Sequence, residues 1–158
     1  MDREALKSAK KIVIKIGSST LTDGEGKIDK EFIKDLSDEV GKIIKEGKKV
    51  IIVSSGARIA GVSTIGKWSR KEDIHYKQAL CAIGQVELMD SYRKIFWEKN
   101  LHVAQILLTK DDFESKSRTL NIRNTLFTLI DEGVIPIINE NDTVSVDEIK
   151  IGDNDMLA

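Results

Sequence analysis

Lys15 is charged in an otherwise apolar stretch that ends in Gly17-Ser18-Ser19. An ammonium group placed there can stabilise the oxygens of a transferring phosphoryl group. Glycine and serine beside it let backbone N–H groups approach an anion closely. A second cluster, Ser54-Ser55-Gly56-Ala57, closes another apolar run and offers a second anion subsite at a helix start. Two further clusters bring the opposite charge: Asn139-Glu140-Asn141-Asp142, and Gly152-Asp153-Asn154-Asp155 near the end of the chain. Asp142, Asp153 and Asp155 suit an ammonium group or the orientation of lysines. Asn139 and Asn154 can donate and accept at once. The set suits a ligand that carries carboxylates and an amine, and phosphoryl transfer to it.

Each motif also has a plainer reading. Gly-Ser after a strand makes ordinary turns, as does Asn-Glu-Asn-Asp, and Lys15 can simply extend into solvent from a strand end. Gly-Asp-Asn-Asp resembles part of a calcium loop but lacks the spacing and closing glutamate of an EF-hand. The argument for a site therefore rests on joint placement, which the surrounding elements must provide.

Those elements are legible from apolar periodicity. Lys11 to Ile16, Lys49 to Val53, His102 to Leu108 and Val134 to Ile138 read as strands. Asp29 is the expected N-cap of a helix with Phe32, Ile33, Leu36, Val40, Ile43 and Ile44 on its apolar face, ended by Gly47. A less regular stretch follows the second strand through Gly61 and Gly66. A long helix is expected from Ile74 to Trp97, with Leu80, Ile83, Val86, Met89, Ile95 and Phe96 in the core. Ile122, Leu126, Leu129 and Ile130 mark another helix, closed by Gly133. Thr143 to Ile151 reads as a short β-excursion. Apolar strands alternating with helices predict a three-layer α/β/α fold around a mainly parallel sheet. In such sheets ligands gather beyond the carboxyl ends of the strands, where three of the four strands carry these clusters. Pro136 cannot donate to a ladder, so it is expected at a sheet edge or where pairing is interrupted.

Composition narrows the function. The chain of 158 residues suits a single domain, and a formal charge of -1 gives no field for nucleic acid or an anionic membrane. The charged start MDREALKSAKK is no secretory signal, and no apolar run reaches the roughly 20 residues of a membrane span, so a cytoplasmic location is expected. Cys81 is the single cysteine, and its apolar helical setting suits packing rather than reactivity. There is no GxxxxGK[ST], no GxGxxG after the first strand, and no paired HxxxH or CxxC. P-loop, dinucleotide and zinc readings therefore have no support. His75 and His102 are isolated, and each suits a structural or surface role.

KIGSSTLT at Lys15 to Thr22, VSSGA at Val53 to Ala57, LLTKDDF at Leu107 to Phe113, PIINENDTV at Pro136 to Val144 and IKIGDNDMLA at Ile149 to Ala158 resemble, in order, motifs of the amino acid kinase superfamily. Asn-Glu-Asn-Asp followed by Gly-Asp-Asn-Asp is the most specific part. It resembles the branch that transfers the γ-phosphoryl group of ATP to the γ-carboxylate of L-glutamate, the first step of proline biosynthesis.

The resemblance implies that Lys15 neutralises the transferring group, with Gly17 and Ser18 beside the nucleotide. It implies that Ser55, Gly56, Ala57, Asp142 and Asn154 hold glutamate, and that Asp155 orients the catalytic lysines. It further implies Mg²⁺ held through the nucleotide phosphates, proline as a feedback inhibitor, and a homo-oligomer. Arg58 departs from the pattern, because relatives usually carry an aliphatic residue there. Residues 1–158 correspond to the substrate-binding N-terminal part of such a domain. The ATP-binding half, with a second catalytic lysine, is expected beyond Ala158, so glutamate recognition without appreciable turnover is expected of these residues alone. An N-acetylglutamate or aspartate kinase, and a non-catalytic glutamate-binding module, remain alternatives.

Overall fold

The computed structural model describes residues 8–66 and 73–145. Within them, strands β1 (Lys11–Ile16), β2 (Lys49–Ser54), β3 (His102–Leu108) and β4 (Val134–Glu140) form one parallel sheet in the order β1-β2-β4-β3. The helices are α1 (Ser18–Leu21), α2 (Lys30–Lys45), α3 (Ala57–Ile65), α4 (Ile74–Trp97), α5 (Lys110–Glu114) and α6 (Lys116–Asp131).

Alternation along the strands divides the core into two layers. Ile16, Val50, Ile52, Ile135 and Ile137 face α2 and α4, where Ile33, Val40, Leu88, Tyr92 and Phe96 are buried. The residues between them, Val53 and Ile138 with Leu108, face Ile122 and Leu126 of α6. Helices therefore cover both sheet faces, as the strand composition predicts. The α6 layer leaves part of β1 bare. Val13, paired with Ile51, is 47% exposed, and Lys11 reaches the Phe127 ring at 4.2 Å from its centroid.

Pro136 lies in an interior strand, between β2 and β3, rather than at an edge. Pairing between β2 and β4 is confined to Ile52↔Ile137 and Val53↔Ile138, beginning one residue after the proline. On the amino-terminal side the two strands diverge around a cavity of about 90 Å³ bounded by Val50 and Ile135. The ladder is thus interrupted at the residue that has no N–H to give.

Several boundaries differ from the sequence reading. Asp29 caps α2 as expected, accepting from the Phe32 N–H at 2.9 Å. The stretch after β2, however, is helical, and Gly61 lies inside that helix. The short helix α1, absent from the sequence reading, precedes a polar turn in which the Asp23 N–H donates to Lys27 O and the Gly26 N–H to Asp23 O. In α4 the buried stripe runs through Leu80, Cys81, Gly84, Leu88, Ser91, Tyr92 and Phe96. Val86, expected in the core, is 69% exposed, because two residues from Gly84 is roughly 200° around a helix. The β-excursion expected from Thr143 to Ile151 begins as a turn, with the Val144 and Ser145 N–H groups donating to Asn141 O. Its remainder lies outside the described residues. Among the described residues no helix is long and apolar enough to cross a membrane.

Candidate functional site

The sheet order makes β1, β2 and β4 neighbours, and Lys15, Val53 and Ile138 occupy one row across them. Their carboxyl ends are therefore level, and the loops that follow rise from a common rim. Lys15 is exposed on the α6 face one residue before that rim. Gly17 is the N-cap of α1, and a Cβ there would meet nothing within 4 Å. Gly17, just before Ser18, thus borders open space that a phosphate oxygen could enter.

The loop after β2 is tied to the loop after β1. The Ser55 N–H donates to Ile16 O at 3.1 Å, carrying the ladder one step past the strands. Gly56 adopts φ +98°, ψ −4°, a left-handed conformation that favours glycine, and becomes the N-cap of α3. A Cβ on Gly56 would lie 3.1 Å from Cδ2 of Leu21, a fully buried residue of α1. Gly56 supplies no capping oxygen, so the positive end of α3 and its first-turn N–H groups are directed at the rim. The two serines beside it have separate tasks. Ser54 is fully buried with its Oγ 3.0 Å from the Tyr92 hydroxyl, whereas Ser55 is only half-buried. Burial pushes the Tyr92 phenol up to about 12, so it stays neutral over the working pH range.

Below this loop α3 crosses α4 with backbones in contact. A Cβ on Gly61 would come within 1.9 Å of Leu80 O, and one on Gly84 within 1.7 Å of Ala57 O. Two glycines facing one another allow the first turn of α3 to rest on α4, which explains a glycine inside each helix despite its cost in helix propensity.

The Asn-Glu-Asn-Asp segment begins inside β4 rather than in a turn. Asn139 and Glu140 are strand residues, only 2% and 7% exposed. Asn139 accepts the Glu140 N–H on Oδ1 at 2.9 Å and donates from Nδ2 to Gln85 Oε1 at 2.8 Å. The Asn141 N–H then donates to Leu108 O, and a turn closed on Asn141 O carries Asp142, half-buried, at the rim. Gln78 Nε2 donates to Ser145 O at 3.4 Å.

At the end of β3, by contrast, the polar residues serve the backbone. Thr109 and Asp112 form a reciprocal capping box for α5, with the Thr109 N–H donating to Asp112 Oδ2 at 2.8 Å. That bond, with Arg118 at 2.9 Å, holds the Asp112 carboxyl below the usual carboxylate range.

Lys15, Gly17, Ser18, Ser55, Gly56, Ala57 and Asp142 thus stand at the carboxyl ends of three adjacent strands. Asn154 and Asp155 lie outside the described residues. The supporting residues Gly84, Gln85 and Tyr92 are absent from the sequence reading, and Gly61 enters it only as part of an irregular stretch. The signals that mark them are an isolated glycine within an apolar helix, and the seven-residue spacing of Gln78, Gln85 and Tyr92.

Comparison with known proteins places the chain in a lineage. The family model described as "Amino acid kinase family" matches residues 10–158. The whole chain is 66% identical to a glutamate 5-kinase of Alkaliphilus metalliredigens and 61% identical to that of Alkaliphilus oremlandii, covering 60% of each. A glutamate 5-kinase of Kosmotoga olearia is 49% identical over 94% of the chain, which covers 42% of that protein. The chain therefore spans at most about 60% of the length of these relatives.

Proposed function

The chain belongs to the amino acid kinase family, and from that premise we propose that it forms the substrate-binding part of a kinase that phosphorylates the γ-carboxylate of L-glutamate with ATP. The observation that carries the reading is the shared row of Lys15, Val53 and Ile138. It sets a cation, an uncapped helix start and the Asp142 carboxylate at one end of a parallel sheet.

The roles follow from charge. A γ-carboxylate is already ionised at neutral pH and needs no general base, so positioning and charge stabilisation are the tasks left to the protein. Ser55 and the amides of Gly56 and Ala57 hold a carboxylate at the N-terminus of α3. Asp142 pairs with the free α-ammonium group. Lys15 neutralises the phosphoryl oxygens as a carboxylate oxygen bonds to the γ-phosphorus and the bond to the β-phosphate oxygen breaks, leaving ADP and an acyl phosphate. Gly17, with Ser18 after it, fits beside the nucleotide, because the space where a Cβ of Gly17 would lie is open. Bound ATP supplies the phosphoryl group, and Mg²⁺ accompanies its phosphates. Asn154 completes the glutamate contacts and Asp155 orients the lysines in this reading.

Calorimetry with a panel of acidic amino acids tests it. L-Glutamate is expected to bind and N-acetylglutamate to bind far more weakly, since an acetylated amine has no charge for Asp142. Binding of N-acetylglutamate or aspartate with glutamate inert would overturn the proposal.

A further inference from the structure

Gln85 belongs to α4 rather than to the loops at the rim, yet its amide is committed to the end of β4. Asn139 Oδ1 is occupied by the Glu140 N–H, which leaves Nδ2 to face Gln85 Oε1 at 2.8 Å. Gln85 Nε2, at the other end of the glutamine amide, is buried with no acceptor among the described residues, an arrangement unfavourable for stability in itself. An apolar side chain of the same size would spare that donor, so the value of an amide at position 85 lies in its oxygen.

The placement of Gln85 along α4 gives that bond a purpose. The preceding residue, Gly84, is where Ala57 O rests on the helix. One turn of α4 therefore supports the start of α3 and the end of β4 together. Seven residues later Tyr92 meets Ser54, and seven residues earlier Gln78 meets Ser145 O. The loops bearing Ser55 and Asp142 are both referenced to this helix.

We propose that Gln85 is a positioning residue of the substrate crevice, aligning Asn139, and through it the Asp142 turn, with the Ser55-Gly56-Ala57 loop. This rests on the glutamate-binding reading above.

The test is the glutamate affinity of the full chain, measured by calorimetry. Gln85→Met keeps length but removes the acceptor and is expected to weaken binding about tenfold, a step of ~1.4 kcal/mol. Gln85→Glu keeps an acceptor oxygen and is expected to restore affinity to within about threefold of the parent, a rescue that loss of packing would not show. If Gln85 acts through Asn139, combining Gln85→Met with Asn139→Ala weakens binding no further than Asn139→Ala alone. Should Gln85→Met fail to fold, Gln85→Asn, one methylene too short to reach Asn139, is read the same way. Unchanged affinity in the acceptor-removing variant, no rescue by Gln85→Glu, or effects that multiply in the double variant overturn this inference alone. A parent chain that binds no glutamate overturns both it and the function on which it rests.

Discussion

Gly84 lies directly beneath Ala57: a methyl group added to Gly84 would sit 1.7 Å from the Ala57 carbonyl oxygen. No side-chain rotation relieves that contact, because the obstacle is backbone. Gly84→Ala must push α3 off α4 and is expected to destabilise the fold by about 3 kcal/mol, at the upper end of overpacking costs. Gly41→Ala is the control. Its Cβ would meet only Leu101 Cδ1 at 3.8 Å inside α2, so relief of the glycine penalty should stabilise by ~0.5–1 kcal/mol. Denaturant unfolding of both variants checks the opposite signs.

In the proposed function Gly56 links conformation to ligand binding more directly. At φ +98° any L side chain is strained by about 1–2 kcal/mol, and its Cβ would press on Leu21 Cδ2 at 3.1 Å. Gly56→Ala is therefore expected to lower stability modestly and to turn the first amides of α3 away from the rim. Glutamate affinity should fall tenfold or more, about 1.4 kcal/mol. A variant of parental affinity would detach the α3 start from the site.

In the proposed function Asp142 distinguishes a free from an acetylated amine. Replacing its charge with an amide in Asp142→Asn removes an interaction of about 1.5–3 kcal/mol, the range for hydrogen bonds to charged groups. Glutamate affinity is expected to fall on the order of 10- to 150-fold, while the already weak binding of N-acetylglutamate changes little. Titration of both ligands against both proteins supplies the comparison, and equal losses for the two would remove Asp142 from contact with the amine.

How much of this was legible follows from where each signal resides. Strand positions and the chemistry at their ends are local, so Lys15, Ser55 and Asp142 stand out in the sequence. The strand order is not local: nothing near Val134 announces that β4 inserts between β2 and β3. The start of the helix at Ala57–Ile65 is legible at Gly56, but its course is masked by Gly61, which lowers local helix propensity while admitting the backbone of α4. Asn139 and Glu140 read as turn residues because nothing near them shows that they end a buried interior strand, and the Gln85 partner of Asn139 is 54 positions away in sequence. Val86 was misplaced because an apolar residue alone does not reveal which side of α4 faces the sheet.

Tyr92 makes the support of the Ser54 loop measurable through pH. Its folded pKa of about 12 lies above the ordinary value near 10, chiefly because burial disfavours the phenolate. Below pH 10 both states keep the proton and the stabilisation is complete. Between about 10 and 12 the unfolded chain releases its proton first and binds fewer than the native state, so stability falls as pH rises, by up to ~1.4 kcal/mol per unit. Tyr92→Phe removes the titration together with the bond to Ser54 Oγ. It is expected to cost about 1 kcal/mol at neutral pH and to lose less stability than the parent between pH 10 and 12. Lysines titrate in the same window in both proteins, so the difference between the two unfolding curves isolates the phenol. Parallel curves would show that Tyr92 ionises as easily folded as unfolded, and would remove the buried Ser54–Tyr92 contact from the account of how the Ser55 loop is held.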